Sequence, residues 1–187
     1  HFPQPQLGLD SVHILNGLVE FPEFNRVSAY GPIKVNNARF AGSDTSATAG
    51  QEQFKGLRLY GQPGINISHT DFVNGKFGLV NFSGVLGNAV LNLNHCHFKQ
   101  CKTGLLTDGG AAILKNCTFN KGERGWYAKN MTGNCKMVKS RFKNYTSSTV
   151  AAFGLYFIGQ SSSKLTINQS YFHNSHMGAQ VVGTEFR

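Results

Sequence analysis

One unit recurs along the chain and constrains its fold more than any other feature. Five segments, aligned on a phenylalanine called the anchor here, share an apolar residue five positions earlier and a small residue two positions earlier. The anchors are Phe72, Phe98, Phe119, Phe142 and Phe172, and a weaker copy of the unit ends at Phe40. The intervals between successive anchors are 32, 26, 21, 23 and 30 residues. A constant unit with connections of variable length is typical of a solenoid.

Within each unit, apolar and polar residues alternate before the chain reaches polar, turn-forming residues. This period of two indicates short strands with one face directed inward, and we expect three such strands in each coil. Equivalent positions of successive coils should then lie about 4.8 Å apart, so the anchors should stack in the core. Asn74, Asn144 and Asn174 follow their anchors by two positions and suit a left-handed turn.

These repeats resemble the right-handed parallel β-helix of the pectin-lyase-like superfamily, of the kind found in phage tailspikes and bacterial surface proteins. The resemblance covers residues 33–187. It implies an all-β fold, a right-handed solenoid of about six coils with three short strands per coil. We expect residues 31–187 to form this domain and residues 1–30 to form an N-terminal cap or extension. No catalytic pattern of the superfamily can be carried over, because neither a paired-aspartate motif nor matching calcium-site acids are found.

Charge narrows the choice of partner. Lys and Arg number 18 against nine Asp and Glu, for a net charge of +9, and ten of the cations lie between Lys99 and Lys143. That segment contains only two acids, Asp108 and Glu123. An anionic partner is therefore favoured, with acidic polysaccharide, lipopolysaccharide and nucleic acid all chemically suitable and nucleic acid the least favoured. Scarce carboxylates leave little material for hydrolysis by paired acids.

A basic strip and one aromatic side chain form the predicted substrate-binding site. Lys139, Arg141 and Lys143 are expected to alternate outward on one strand, and Tyr127 is expected to point outward beside Lys129. Such a strip suits sulfate, carboxylate or phosphate groups, although a solvated polar face would have the same sequence. The predicted substrate-binding residues are Lys115, Tyr127, Lys136, Lys139, Arg141 and Lys143.

A second candidate is a group of histidines with one carboxylate. His69 and His95 should occupy one outward column, and Asp71 and His97 the next. Three imidazoles and a carboxylate could bind a transition metal, or the carboxylate could orient a histidine base. A solvated or glycan-contacting row of polar residues is the alternative that we favour, and we expect neither a bound metal nor any other cofactor.

The repeat frame also assigns several other side chains. Cys96, Cys117 and Cys135 fall in inward columns, which favours free buried thiols, with a Cys96–Cys117 bridge as the alternative. Trp126 aligns with inward leucines and is expected in the core. Asp108 and Lys129 share a column and should form an ion pair between coils.

Function is predicted only by class. We expect an extracellular module, on a cell surface or virion, that binds anionic or neutral polysaccharide and is non-catalytic or a fragment of a larger protein. A polysaccharide lyase or glycoside hydrolase is the alternative, and whether the chain is an enzyme stays open. The longest apolar stretch, at 150–158, is far shorter than the roughly 20 residues of a membrane span. We also expect a homotrimer or a continuation beyond Arg187, since an open solenoid end exposes apolar side chains.

Overall fold

The computed structural model describes residues 7–9, 12–21, 27–30, 32–42, 55–60, 64–83, 89–146, 152–183 and 185–186. Throughout these ranges the regular structure is β-strand. The strands form three sheets, in which every hydrogen-bonded pair is parallel. None of the described segments is a helix of the length and hydrophobicity that a membrane crossing requires.

The three sheets take successive strands of the chain in turn. Sheet I contains β1 Leu7–Leu9, β4 Val27–Ala29, β7 Leu57–Tyr60, β10 Phe77–Phe82, β13 Thr103–Asp108, β16 Arg124–Met131, β19 Phe153–Gly159 and β22 Met177–Val182. Sheet II contains β2 Val12–Leu15, β5 Ile33–Asn36, β8 Ile65–Ser68, β11 Val90–Asn94, β14 Ala111–Lys115, β17 Asn134–Val138, β20 Lys164–Asn168 and β23 Glu185–Phe186. Sheet III contains β3 Leu18–Phe21, β6 Arg39–Gly42, β9 Asp71–Val73, β12 His97–Lys99, β15 Thr118–Asn120, β18 Arg141–Tyr145 and β21 Tyr171–Ser175.

One strand from each sheet makes a coil, so the described strands form seven coils and begin an eighth. The predicted all-β parallel solenoid with three short strands per coil is confirmed. Six of the coils carry the predicted anchors. The additional coil comes from β1–β3, which lie in the segment expected to be a cap or extension and pair in parallel with the coil that follows. The division of the chain at residue 30 stays a prediction.

The anchors stack on one another in the core, as the repeat predicts. Their register runs from Phe40 to Phe172 through sheet III, one anchor per coil. Ring centroids of successive anchors lie 5.2, 4.9, 4.5, 4.5 and 5.0 Å apart, with nearly parallel planes. All six rings are buried except that of Phe172, which is half-buried. A parallel ladder of this kind gives the solenoid a continuous apolar core.

The glycine that follows most anchors by six residues makes room for that core. A Cβ added to Gly125 would lie 2.3 Å from the carbonyl oxygen of Gly154 and 2.6 Å from the ring of Phe142. Gly78 and Gly104 are also confined. An added Cβ would lie 2.8 Å from the ring of Phe98 at Gly78 and 2.9 Å from the ring of Phe119 at Gly104. The repeated glycine is therefore required by the close approach of an anchor ring.

Two kinds of left-handed turn join the strands of a coil. The turn between sheets II and III places one non-glycine residue per coil at positive φ: Asn16, Asn37, His69, His95, Asn116, Lys139 and Gln169. At the end of sheet III, Asn74, Gln100 and Lys121 lie at positive φ just after their strands, and Asn144 and Asn174 do so as the next-to-last residues of β18 and β21. In this second row, the Asn174 amide donates to the Asn144 side-chain oxygen at 3.0 Å. The predicted left-handed conformation of the asparagines in this row is confirmed.

Candidate functional site

A cluster of cations lies on sheets II and III and on the turns at both ends of sheet III, on the fourth to sixth coils. Its members, called the basic face here, are Lys99, Lys115, Lys121, Lys136, Lys139, Arg141 and Lys143. All of their side chains are exposed except Lys143, which is half-buried. Lys115 ends β14 and Lys136 lies in β17, whereas Arg141 and Lys143 lie in β18. The turn that carries Lys139 connects the two groups.

The prediction that Lys139, Arg141 and Lys143 alternate on one strand is wrong for the first of them. Lys139 has φ 50° and belongs to the left-handed turn before β18. Its side chain is still exposed at the same edge of the solenoid, because this turn is only two residues long between β17 and β18. The change moves Lys139 into the row of His95 and Asn116.

Tyr127 is separated from the other predicted substrate-binding residues. It lies in β16 of sheet I, in register with Leu106 and Tyr156, and it is half-buried. The five cations of the prediction lie on sheets II and III and the turn between them. The six residues therefore divide between two faces of the molecule, and whether either face binds substrate stays a prediction.

The basic face has little charge compensation. The three acidic side chains that the structure describes are each engaged elsewhere: Asp71 with His97, Glu123 with Lys102, and Asp108 with Lys129. Among the described side chains, no ion pair joins a member of the basic face to a carboxylate. Cations held close together without counter-charges attract polyanions, most strongly at low ionic strength.

The histidines lie next to the basic face, in the two predicted columns. His69 and His95 stack with ring centroids 4.9 Å apart and an angle of 5° between their planes. The His97 Nδ1 atom lies 2.9 Å from the Asp71 Oδ1 atom. Within the described residues, no group of three or more histidine, cysteine or acidic side chains is arranged to hold a metal ion. The side chains thus form a polar row on the third and fourth coils.

The four cysteines are free and buried. Burial raises the pKa of the Cys101 thiol to about 12 and that of Cys135 to about 11. Thiols with such pKa values are protonated at neutral pH and are poor nucleophiles and metal ligands. Cys96 differs from them, because a hydrogen bond with the Cys117 thiol lowers its pKa. All four side chains pack in the core, where the Cys96 Sγ atom lies 3.4 Å from the Ile67 carbonyl oxygen.

A second cluster surrounds Tyr127 on sheet I. The aromatic cluster comprises Arg124 and Tyr127 of β16 with Phe153 and Tyr156 of β19. Arg124 is in register with Phe153, and Tyr127 with Tyr156, so the four residues form a two-by-two block on neighbouring coils. The Arg124 guanidinium lies 5.1 Å from the Tyr127 ring centroid and 5.7 Å from that of Phe153.

Other predicted contacts on and below sheet I are confirmed. Trp126 is fully buried, and its Nε1 donates a hydrogen bond to the Thr107 hydroxyl at 3.0 Å. The Lys129 Nζ atom lies 2.9 Å from the Asp108 Oδ2 atom, which joins two coils. Burial raises the pKa of Asp108, but the hydrogen bonds from Lys129 and Asn130 outweigh it and hold that pKa below its usual value.

Three parallel sheets, a stacked anchor ladder and exposed side chains arranged in columns define the class of the protein as a parallel β-helix. The profile of the family described as the right-handed beta helix region matches residues 24–186. The chain belongs to this right-handed β-helix family, which confirms the predicted handedness. No curated protein and no solved structure matches the chain.

Proposed function

We propose that this chain is a non-catalytic β-helix module that binds a polyanionic polysaccharide on its basic face. The observation that carries the proposal is the set of seven cations on three neighbouring coils, none of them paired with a described carboxylate. The module would meet such a polymer outside the cell, on a cell surface or virion, as adhesins and tailspikes do.

The arrangement suits a polymer better than a small anion. Lys99, Asn120 and Lys143 are consecutive in one column of sheet III, so the Cα atoms of the two lysines are two coil rises apart, about 9.6 Å. Lys139 and Arg141 lie beside that column on the same coil as Lys143. A polymer that lies along the solenoid axis can contact cations of several coils at once, whereas a small anion can contact only a few of them.

Charge reversal tests the proposal. The double variant Lys139→Glu/Arg141→Glu should bind heparin, or another acidic polysaccharide, at least roughly tenfold more weakly at low salt, because it replaces attraction with repulsion. The matched control is Lys34→Glu/Arg39→Glu, which makes the same change in net charge on the second coil. Equal affinity of both variants, measured by surface plasmon resonance, would remove the basic face as the site.

The lyase or hydrolase alternative is tested with the same polymers. Asp71, Asp108 and Glu123, the acids whose side chains the structure describes, each lie against a histidine or lysine. Elimination by a lysine or arginine base would still release unsaturated products that absorb in the ultraviolet. Their appearance with the unaltered chain, and loss in Lys139→Glu/Arg141→Glu, would replace the non-catalytic proposal with a lyase.

A further inference from the structure

We propose that the aromatic cluster is a second carbohydrate site, which takes uncharged sugar rings and acts independently of the basic face. The outward positions of β16 and β19 differ from those of the other sheets. On the same coils, sheets II and III present mostly polar and charged side chains together with the exposed Tyr171, whereas sheet I presents Tyr127 and Tyr156 above the buried Phe153. Aromatic side chains on an outward face are not needed to build the core, which Trp126 and the anchors already fill.

The cluster is held in one arrangement before any ligand arrives. Tyr156 packs against Phe153 at 5.1 Å and against Tyr127 at 5.5 Å between ring centroids. Arg124 braces the other side of the block through its contacts with Tyr127 and Phe153. Phe153 is 8% exposed and forms the floor, whereas Arg124, Tyr127 and Tyr156 are half-buried at the rim. A preorganised surface loses little conformational entropy when it binds.

Electrostatics distinguish this site from the basic face. Two neighbouring cations are neutralised, since Lys102 lies 3.4 Å from Glu123 and Lys129 lies 2.9 Å from Asp108. That leaves Arg124 as the charge of the cluster, and its guanidinium is engaged with two rings. A strongly anionic polymer gains little here, and the basic face offers it a better site.

The chemistry that remains is suited to a neutral sugar. The apolar face of a pyranose ring can pack on the tyrosine rings through weak C–H contacts with the π-system. The tyrosine hydroxyls both donate and accept hydrogen bonds, and the Arg124 edge only donates, which matches the hydroxyl groups around the sugar. A wholly apolar partner would leave these polar groups unpaired.

The inference is tested by calorimetric titration with neutral hexasaccharides of β-linked glucose, xylose and mannose. The titrations are done in high salt, which suppresses binding to the basic face. The unaltered chain should bind at least one of them. Tyr127→Ala and Tyr156→Ala should each weaken that binding roughly tenfold, and Tyr127→Phe, which keeps the ring, only slightly. Lys139→Glu/Arg141→Glu should bind these sugars normally, so failure of the basic-face proposal would leave this result intact.

Three outcomes would overturn the inference: binding of none of the sugars, equal binding by the alanine variants, or a change from dimer to monomer in Tyr127→Ala by analytical ultracentrifugation. The last would make the cluster an interface between two copies of the chain.

If the alanine variants do not fold, the tyrosine ring resonances of the unaltered chain provide the readout. They should shift in NMR spectra when the sugar that binds is added, and unshifted Tyr127 and Tyr156 signals would contradict the site.

Discussion

The basic face and the aromatic cluster use the same scaffold in opposite ways. On the basic face, neighbouring coils present cations without described counter-charges, and two of them, Arg141 and Lys143, lie over the ring of the exposed Tyr171. In the aromatic cluster, neighbouring coils present rings and one guanidinium that pack together, and the nearby charges are paired. The difference shows that the outward side chains of one solenoid can form a charged surface on one side and a packed aromatic surface on another, because the core needs neither set.

The largest expected effect comes from a residue on which both faces depend. Gly125 follows Arg124 and lies against the ring of Phe142, which is flanked by Arg141 and Lys143. Gly125→Ala should lower the free energy of unfolding by about 3 kcal/mol or more, because the added Cβ would overlap a carbonyl oxygen and the anchor ring. Chemical denaturation measures this loss.

Gly178→Ala is the matched control for that prediction. At Gly178 the nearest atom to an added Cβ is 3.4 Å away, which is ordinary van der Waals contact. The control should cost much less stability than Gly125→Ala. Similar losses in the two variants would mean that the glycine column does not serve the anchor rings.

Salt concentration should affect ligand binding differently at the two faces, and we expect this effect to be intermediate in size. Raising the salt from about 0.05 M to about 0.5 M shortens the screening length severalfold and should weaken binding of an acidic polysaccharide roughly tenfold or more. Binding of a neutral sugar to the aromatic cluster should change less than about twofold, because ring contacts are not screened. Parallel titrations at both salt concentrations measure the contrast, and equal salt dependence would show that the two faces do not differ as described.

The smallest expected effect comes from the ion pair beside the aromatic cluster. The pKa of Asp108 is lower in the folded chain than in the unfolded one, so the stability it adds is present above the unfolded pKa, near 4. That stability is lost as the pH falls through the lower, folded value. Because the pair is partly exposed, we expect under about 1 kcal/mol.

Thermal unfolding between neutral and acidic pH, compared with Asp108→Asn, isolates this contribution. Asp108→Asn should be less stable than the unaltered chain at neutral pH and equally stable in strong acid. An unchanged difference across the pH range would contradict an electrostatic role for Asp108.

The sequence predicted the inward columns well because the core repeats its requirements in every coil. Phe98 and Phe119 must stack, and Gly104 must admit a ring, so both signals recur. The turn at Lys139 was misassigned because lysine seldom adopts positive φ, so its identity gave no sign of a turn. Neighbouring asparagines such as Asn116 occupy the same row, and they could have revealed it.

The aromatic cluster could not be predicted as a group because outward residues do not repeat. Arg124 meets Phe153, and Tyr127 meets Tyr156, across the insertion that follows Phe142. Only the paired register of β16 and β19 brings them together. The sequence predicted Tyr127 to point outward, because it follows Trp126, which aligns with inward leucines.

The left-handed turn between sheets II and III has one more consequence. Its backbone N–H groups donate to the next coil, as with His69 to Asn94 at 2.9 Å and Lys139 to Asn168 at 3.0 Å. The main chain therefore holds this corner together, whichever side chain stands there, and asparagine, histidine, lysine and glutamine all occur. The residue at this corner could therefore be substituted in one coil at a time during evolution, which would change the exposed surface while the fold stays the same.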